Sequence, residues 1–216
     1  DDALAGHAEP LDLSLDIRVQ HVVRDELGAA MRSFKAIGGM GVVMDAQNGE
    51  IIAMVSLPDF DPNHPGEAPA DARFNRATLG IYEMGSTFKI FTTAAALDSG
   101  TATLKSGYDA TNPIHIGRFT IEDYHAKRRW LSVPEIFMYS SNIGAAKMAL
   151  DLGVTNHRAF LDSLGFMRPA PLELPEIGAP MAPHQWREVN TMTIAFGHGL
   201  AVSPIQVVTA TAAMVN

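Results

Sequence analysis

Two strand-like runs separated by a short turn impose the strongest constraint on how this chain folds. Residues 41–44 and 51–55 are rich in valine, isoleucine and methionine, and β-branched residues favour strands. Residues 45–50 lie between them and contain Asn48-Gly49, a dipeptide typical of tight hairpin turns. The pattern predicts a β-hairpin. A hairpin alone is only marginally stable, so further strands should pack beside it, yet few others are evident in the sequence.

Helical patterns and proline-rich loops occupy most of the remaining sequence. Ser203, Pro204 and Gln206 form a helix start with a capping box. The residues that follow, 207–215, are so apolar that we expect this helix to be buried. Leu11, Leu13 and Leu15 alternate with polar residues, which predicts a short strand. The other predicted helices are 16–34 (capped by Asp16), 85–100, 134–138, 143–152 and 156–164, and the predicted loops are 57–77 and 169–183.

Composition limits the classes of function. The chain has 216 residues, 47% of them hydrophobic, which suits one globular domain. The net charge of −8 argues against nucleic acid as a partner. Cysteine is absent, so disulfides and thiol catalysis are excluded. The eight histidines show no metal-ligand spacing, and we expect neither a metal nor a cofactor.

The ends of the sequence suggest that it belongs to a longer protein. Its apolar runs fall far short of the ~20 residues that cross a bilayer, and Asp1 is not a natural start. We expect residues 1–10 to be a linker from an upstream region that carries the membrane anchor.

Ser86 and Lys89 form the first candidate catalytic pair. They are three residues apart at the start of the predicted helix 85–100, and residues at that spacing share one face of a helix. A partly buried lysine loses its proton more readily than a free one, and a neutral amine can activate a serine hydroxyl. The spacing alone is weak support, because an exposed lysine on an amphipathic helix produces the same pattern.

Ser140-Ser141-Asn142 supplies a second hydroxyl and a carboxamide. The segment falls between two predicted helices, where we expect it to form a loop. Ordinary helix capping by serine and asparagine is the simpler interpretation. Together with the earlier pair, however, it matches two of the three elements, S-x-x-K, S-x-N and K-T-G, that mark penicillin-binding proteins and related β-lactamases.

Longer stretches of the sequence extend this resemblance. Residues 45–63, 75–77, 82–89, 139–142 and 196–200 resemble landmarks of class B penicillin-binding proteins, and most closely those of the septal, penicillin-binding protein 3 type. The resemblance implies an α/β fold of the penicillin-binding-protein and serine β-lactamase kind, in which helices flank an antiparallel sheet and form a helical subdomain. Residues 11–216 would be the transpeptidase domain.

The resemblance also implies the chemistry and its setting. The protein would be a peptidoglycan D,D-transpeptidase that is inhibited by β-lactam antibiotics at the periplasmic face of the inner membrane. Stem peptides would be its substrates and division-complex membrane proteins its partners. Ser86 would be the acylated nucleophile, Lys89 its base and Ser140 a proton relay. Asn142 would hold the donor peptide, and the Ser86 backbone N–H would supply half of the oxyanion hole.

The third element of the family, Lys-Thr-Gly, does not occur in the 216 residues. In relatives it lies on a core strand that recognises the substrate carboxylate and completes the oxyanion hole. We therefore expect the domain to be truncated before that strand and the 216 residues to be inactive by themselves.

Two other functions stay open at the sequence level. A serine β-lactamase shares the nucleophile motif and would need a carboxylate to activate water, for which Glu173 and Glu176 are the candidates. A non-catalytic β-lactam sensor or scaffold of the same fold would keep both motifs.

Overall fold

The computed structural model describes residues 11–216. The predicted linker, residues 1–10, lies outside the described residues. The helices are α1 (Ile17–Phe34), α2 (Lys89–Asp98), α3 (Val133–Met138), α4 (Asn142–Leu152), α5 (Val154–Ser163), α6 (Glu188–Ile194) and α7 (Pro204–Val215). The strands are β1 (Gly39–Met44), β2 (Ile51–Leu57), β3 (Tyr82–Glu83), β4 (Gly107–Asp109), β5 (Ile114–Ile116), β6 (Phe119–Ile121), β7 (Trp130–Ser132) and β8 (Ala201–Val202).

The predicted hairpin is confirmed as β1 and β2, which pair antiparallel with Val42 opposite Met54. Gly49 in the turn has φ = 79°, a left-handed conformation that glycine adopts at little cost. Helix α1 packs across both strands, and α7 packs on β1. From α1, Gln20 donates its side-chain amide to the Met54 carbonyl at 2.7 Å and accepts from the Met54 N–H at 2.8 Å. The Gln20 side chain thus binds both backbone polar groups of Met54 and ties α1 to β2.

The strand predicted from Leu11, Leu13 and Leu15 is wrong. No strand forms over residues 11–15, and the three leucines are 83%, 64% and 43% exposed. This segment is held to β2 by single contacts, such as the hydrogen bond from the Ser14 hydroxyl to the Ile51 carbonyl at 2.8 Å. An alternating pattern produces a strand only where one face is covered, and nothing in the described structure covers these leucines.

Short strands that the sequence pattern did not predict form three further antiparallel pairs: β3 with β8, β4 with β7, and β5 with β6. Each has two or three residues, too few for an alternating pattern to show. Helix α6 was also missed; it lies beyond the predicted loop 169–183 and has only seven residues, about two turns, which is too few for a helical period to show. The resulting arrangement of helices and small antiparallel sheets agrees with the expected α/β class.

Two apolar clusters support the helical part of the fold. Phe88, Phe91 and Phe166 are fully buried and pack with ring centroids 4.8–5.4 Å apart, a favourable aromatic geometry. A second cluster joins α2, α3 and α4 around Ile136 and Met148. Both lie directly behind the segments that carry the candidate catalytic residues.

Helix α7 begins as predicted, with the capping box of Ser203 and Gln206 in place. Its predicted burial is only partly correct, because Ile205, Gln206 and Ala210 are buried whereas Val215 is 71% exposed. One face of the helix packs inward, and the other borders an open groove near the hairpin turn. None of the helices within residues 11–216 has the length and apolarity that a membrane span requires.

Candidate active site

Ser86 lies at the surface, on a turn whose position is set by the short β3–β8 pair. Tyr82 pairs with Val202, and Gly85 then turns the chain with φ = 55°. The helix predicted from residue 85 begins instead as a 3-10 turn, Gly85–Phe88, and becomes α-helical at Lys89. In a 3-10 turn, residues i and i+3 are eclipsed. Ser86 and Lys89 are therefore aligned more closely than an α-helix would align them.

Lys89 is the centre of the arrangement. The side chain is buried, with 2% of the residue exposed. Its Nζ lies 2.8 Å from Ser86 Oγ, 2.9 Å from both Oγ and the carbonyl oxygen of Ser140, and 2.7 Å from Asn142 Oδ1. Ser140 Oγ donates to Ser86 Oγ at 3.0 Å. The structure thus brings together all four residues that the sequence singled out.

Burial lowers the pKa of Lys89 from 10.5 to about 8, and the negative charge of Asp123 partly opposes this effect. The contacts suit a neutral amine. The Ser140 carbonyl and Asn142 Oδ1 can only accept hydrogen bonds, so they take the two N–H groups of the neutral form. The single lone pair of the nitrogen can then face Ser86 Oγ at 2.8 Å, while Ser140 Oγ, whose one proton is donated to Ser86 Oγ, lies beside the amine at 2.9 Å.

The connection between α3 and α4 places Ser140 and Asn142. Ser140 has φ = 55°, a left-handed conformation that is uncommon for a residue other than glycine. Ser141 is the N-cap of α4, and its hydroxyl accepts from the Gly144 N–H at 2.9 Å. Asn142 was expected in a loop, but it is the first residue of α4. The helix cap is therefore Ser141, which leaves the Asn142 carboxamide free to face Lys89.

Sequence reasoning missed two carboxylates that hold this site. Asp123 accepts from the Ser141 hydroxyl at 2.7 Å and from the Ile143 N–H at 3.0 Å. Glu83 accepts from the Gly199 N–H at 2.7 Å and contacts His198 Nδ1 at 3.2 Å. The Gly199 bond is the main reason that the pKa of Glu83 is lowered. A single acidic residue has no characteristic spacing, so the sequence contained no signal for Asp123.

Residues 39–216 match the model of the penicillin binding protein transpeptidase domain. The chain belongs to this family. It is 42% identical, over 99% of its length, to the probable peptidoglycan D,D-transpeptidase FtsI of Caulobacter vibrioides, and 31% identical, over 95% of its length, to the FtsI of Escherichia coli. The chain spans about a third of the length of these curated relatives, 36% and 34% respectively.

Solved structures support the same assignment. The transpeptidase domain of penicillin-binding protein 3 from Burkholderia pseudomallei superposes with a TM-score of 0.82 at 27% identity, covering 97% of this chain and 59% of that one. A peptidoglycan glycosyltransferase from Burkholderia ambifaria superposes with a TM-score of 0.83 at 29% identity, covering 94% of this chain and 61% of that one. The family and the fold predicted from the sequence are thereby confirmed.

The transpeptidase domain also contains a groove of about 540 Å³ beside Asn142. Strand β6 and the Phe196–His198 segment border the groove. By contrast, Glu173 and Glu176, the carboxylates that a β-lactamase would need, form no hydrogen bond with the side chains of Ser86 or Lys89. The groove therefore adjoins Asn142, whereas neither of these two carboxylates is bonded to the nucleophile or to its neighbouring amine.

Proposed function

We propose that the protein is a peptidoglycan D,D-transpeptidase that acts through an acyl-serine intermediate and is a target of β-lactams. The observation that carries the proposal is the single buried amine of Lys89 in contact with both hydroxyls and with Asn142. Family membership adds that relatives 42% and 31% identical to the chain are named peptidoglycan D,D-transpeptidases. Exposed hydroxyls above a buried amine suit acyl transfer, because the nucleophile is accessible and the base is desolvated.

The proposed chemistry follows from the distances. Lys89 Nζ takes the proton of Ser86 Oγ across 2.8 Å as that oxygen attacks the carbonyl of the penultimate D-Ala of a donor stem peptide. The peptide bond to the terminal D-Ala then breaks. Ser140 Oγ, 2.9 Å from Nζ, gives its proton to the departing amine and is reprotonated by Lys89. An acceptor amine reverses these steps, forms the cross-link and frees Ser86.

Substrate binding is assigned to Asn142 and the adjoining groove. The carboxamide of Asn142 donates to the Glu122 carbonyl at 3.0 Å, which fixes its orientation at the groove wall. We assign it to the amide of the donor peptide, and the Ser86 backbone N–H to one side of the oxyanion hole. A β-lactam would acylate Ser86 in the same way, but its leaving group stays attached through the opened ring.

We place this activity in septal wall synthesis at the periplasmic face of the inner membrane, with division-complex membrane proteins as partners. Support comes from the similarity of residues 82–89 and 196–200 to the septal type of the family, and from the two FtsI relatives.

The test is acylation of the full-length protein by fluorescent penicillin, followed by peptide mapping. We expect the label on Ser86 alone and none on Ser86→Ala, whereas Ser99→Ala, a control at the residue that follows the far end of α2, should label normally. A label on Ser140 or Ser141 would contradict the assignment. An adduct that lasts for hours supports a transpeptidase, and one lost within seconds would show a β-lactamase instead.

A further inference from the structure

Asp123 lies just after β6, and both oxygens of its carboxylate accept hydrogen bonds from the start of α4. Oδ2 accepts from the Ser141 hydroxyl at 2.7 Å, and Oδ1 accepts from the Ile143 N–H at 3.0 Å. The Ser141 hydroxyl in turn accepts from Gly144. Two of the free N–H groups at the start of the helix are thus satisfied by one linked set of acceptors, and a negative charge at this end of a helix is favourable.

The backbone of the neighbouring residue, Glu122, binds the same segment. The carbonyl of Glu122 accepts from Asn142 Nδ2 at 3.0 Å. That bond turns Asn142 Oδ1 toward Lys89, 2.7 Å away. Glu122 and Asp123 therefore bind the cap residue Ser141 and the first two residues of α4, Asn142 and Ile143. These three residues directly follow Ser140.

Ser140 depends on this support. Its left-handed backbone, with φ = 55°, is costly for a serine and persists only where the surroundings over-determine it. On one side, the end of α3 holds it through the bond from the Ser140 N–H to the Phe137 carbonyl at 3.1 Å. On the other side, the chain enters α4 at Ser141, which is fully buried and bound to Asp123.

We propose that Asp123 is a positioning residue for acyl transfer, which holds the Ser140–Asn142 segment against Lys89. The inference rests on the proposed function for its catalytic meaning. Asp123 touches neither Ser86 nor the amine; it acts through Ser141 and Ile143. It also acts on Lys89 as a charge, and this negative charge favours the protonated amine.

Two substitutions separate the positioning effect from the charge effect. Asp123→Ala removes both. Asp123→Asn can keep the geometry, because its carbonyl oxygen can face the Ile143 N–H while its amide donates to Ser141 Oγ. The matched control is Asp16→Ala, which removes another carboxylate cap, the one that accepts from the Arg18 N–H at 2.8 Å on α1.

The assay is the second-order rate constant for acylation by fluorescent penicillin in the full-length protein, from pH 6 to 10. We expect Asp123→Ala to lower it about 10- to 100-fold, the cost of a misplaced catalytic group. Asp123→Asn should recover most of the rate at pH 9 and move the midpoint of the pH profile to lower pH. Asp16→Ala should acylate like the wild type.

If the role of Asp123 is purely structural, Asp123→Ala and Asp123→Asn will lose the same share of the acylation rate, and the midpoint of the pH profile will not shift. This result would overturn the proposal. Wild-type rates in Asp123→Ala would overturn it as well. The rate of amide hydrogen exchange at Ile143 and Gly144 can be measured independently of enzyme activity, and it should increase in Asp123→Ala. If exchange does not change, Asp123 does not hold the segment. Failure of the wild type to label at Ser86 would instead count against the proposed function.

Discussion

The rate of acylation should follow the titration of Lys89. Burial lowers the pKa of this lysine from 10.5 to about 8. At pH 7 the neutral fraction of the amine therefore rises from about 0.03% to about 9%, roughly 300-fold. Because only the neutral form accepts the proton of Ser86, the acylation rate constant should increase about tenfold from pH 6 to 7 and about fivefold from pH 7 to 8, and level off above pH 9.

The assay is again the second-order rate constant for acylation, with a penicillin that does not titrate in this pH range. Lys89→Arg is the informative variant, because arginine stays protonated at every pH used. It should lower the rate by about 10²–10⁴-fold and abolish the increase with pH. Lys147→Arg is the control: this lysine lies on α4, and its amine binds the Asp109 carbonyl.

Three results would refute the reasoning. A midpoint near 10.5 would show that burial does not shift the pKa of Lys89, and a flat profile from pH 6 to 9 would show that the amine is not the base. An increase with pH that persists in Lys89→Arg would assign the titration to another group.

Two further predictions concern Asn142 and His157. Asn142→Ala should slow acylation and lower the melting temperature only slightly, because Ser141 keeps the helix cap; a large thermal loss with normal acylation would contradict this. His157 is fully buried without a hydrogen-bond partner on either ring nitrogen, and burial lowers its pKa from 6.5 to about 4. Since the unfolded chain binds more protons in this window, stability should be lost as the pH falls from 6.5 toward 4, by about 2–3 kcal/mol at pH 4.5. Urea unfolding of His157→Leu should show a smaller loss, with the exposed His184→Gln as control; equal acid sensitivity in the two variants would refute it.

Local signals in the sequence predicted local structure well. The hairpin turn at Asn48-Gly49, the capping box at Ser203 and the pairing of Ser86 with Lys89 each involve residues a few positions apart. Physical rules about turns, caps and helix faces act over that distance, so they can be read without the fold. The same rules failed for residues 11–15, where burial, and not local pattern, decides whether a strand forms.

Contacts between distant residues could not be derived in this way. Ser140 lies 54 residues after Ser86, and only the resemblance to a family placed the two together. Asp123 reaches Ser141 across 18 residues, and its position follows from the β5–β6 pair of three-residue strands that precedes it, which no periodicity indicates. Physical reasoning from the sequence therefore identified the first catalytic pair, Ser86 and Lys89. Family resemblance identified the second hydroxyl, and only the structure revealed the supporting carboxylates.

The burial that suits Lys89 for catalysis lowers the free energy of unfolding at neutral pH. At pH 7 the unfolded lysine is protonated, with a pKa of 10.5, whereas the folded one has a pKa of about 8. The difference costs the folded state about 3 kcal/mol, and the cost disappears as the pH rises from about 8 to 10.5. A cost of this size is a large share of the ~5–15 kcal/mol by which domains are stable.

The 3-10 turn explains how the fold accommodates this cost without burying the nucleophile. Phe88 and Lys89 point inward together, and Phe88 contributes a fully buried ring to the cluster with Phe91 and Phe166. Burying one large aromatic side chain contributes about 1.5–3 kcal/mol, close to the cost of the desolvated amine. Ser86 and Thr87, in the same turn, remain exposed. Residues 86–89 thus combine a buried ring that stabilises the fold, an amine whose protonated form is disfavoured, and an accessible hydroxyl.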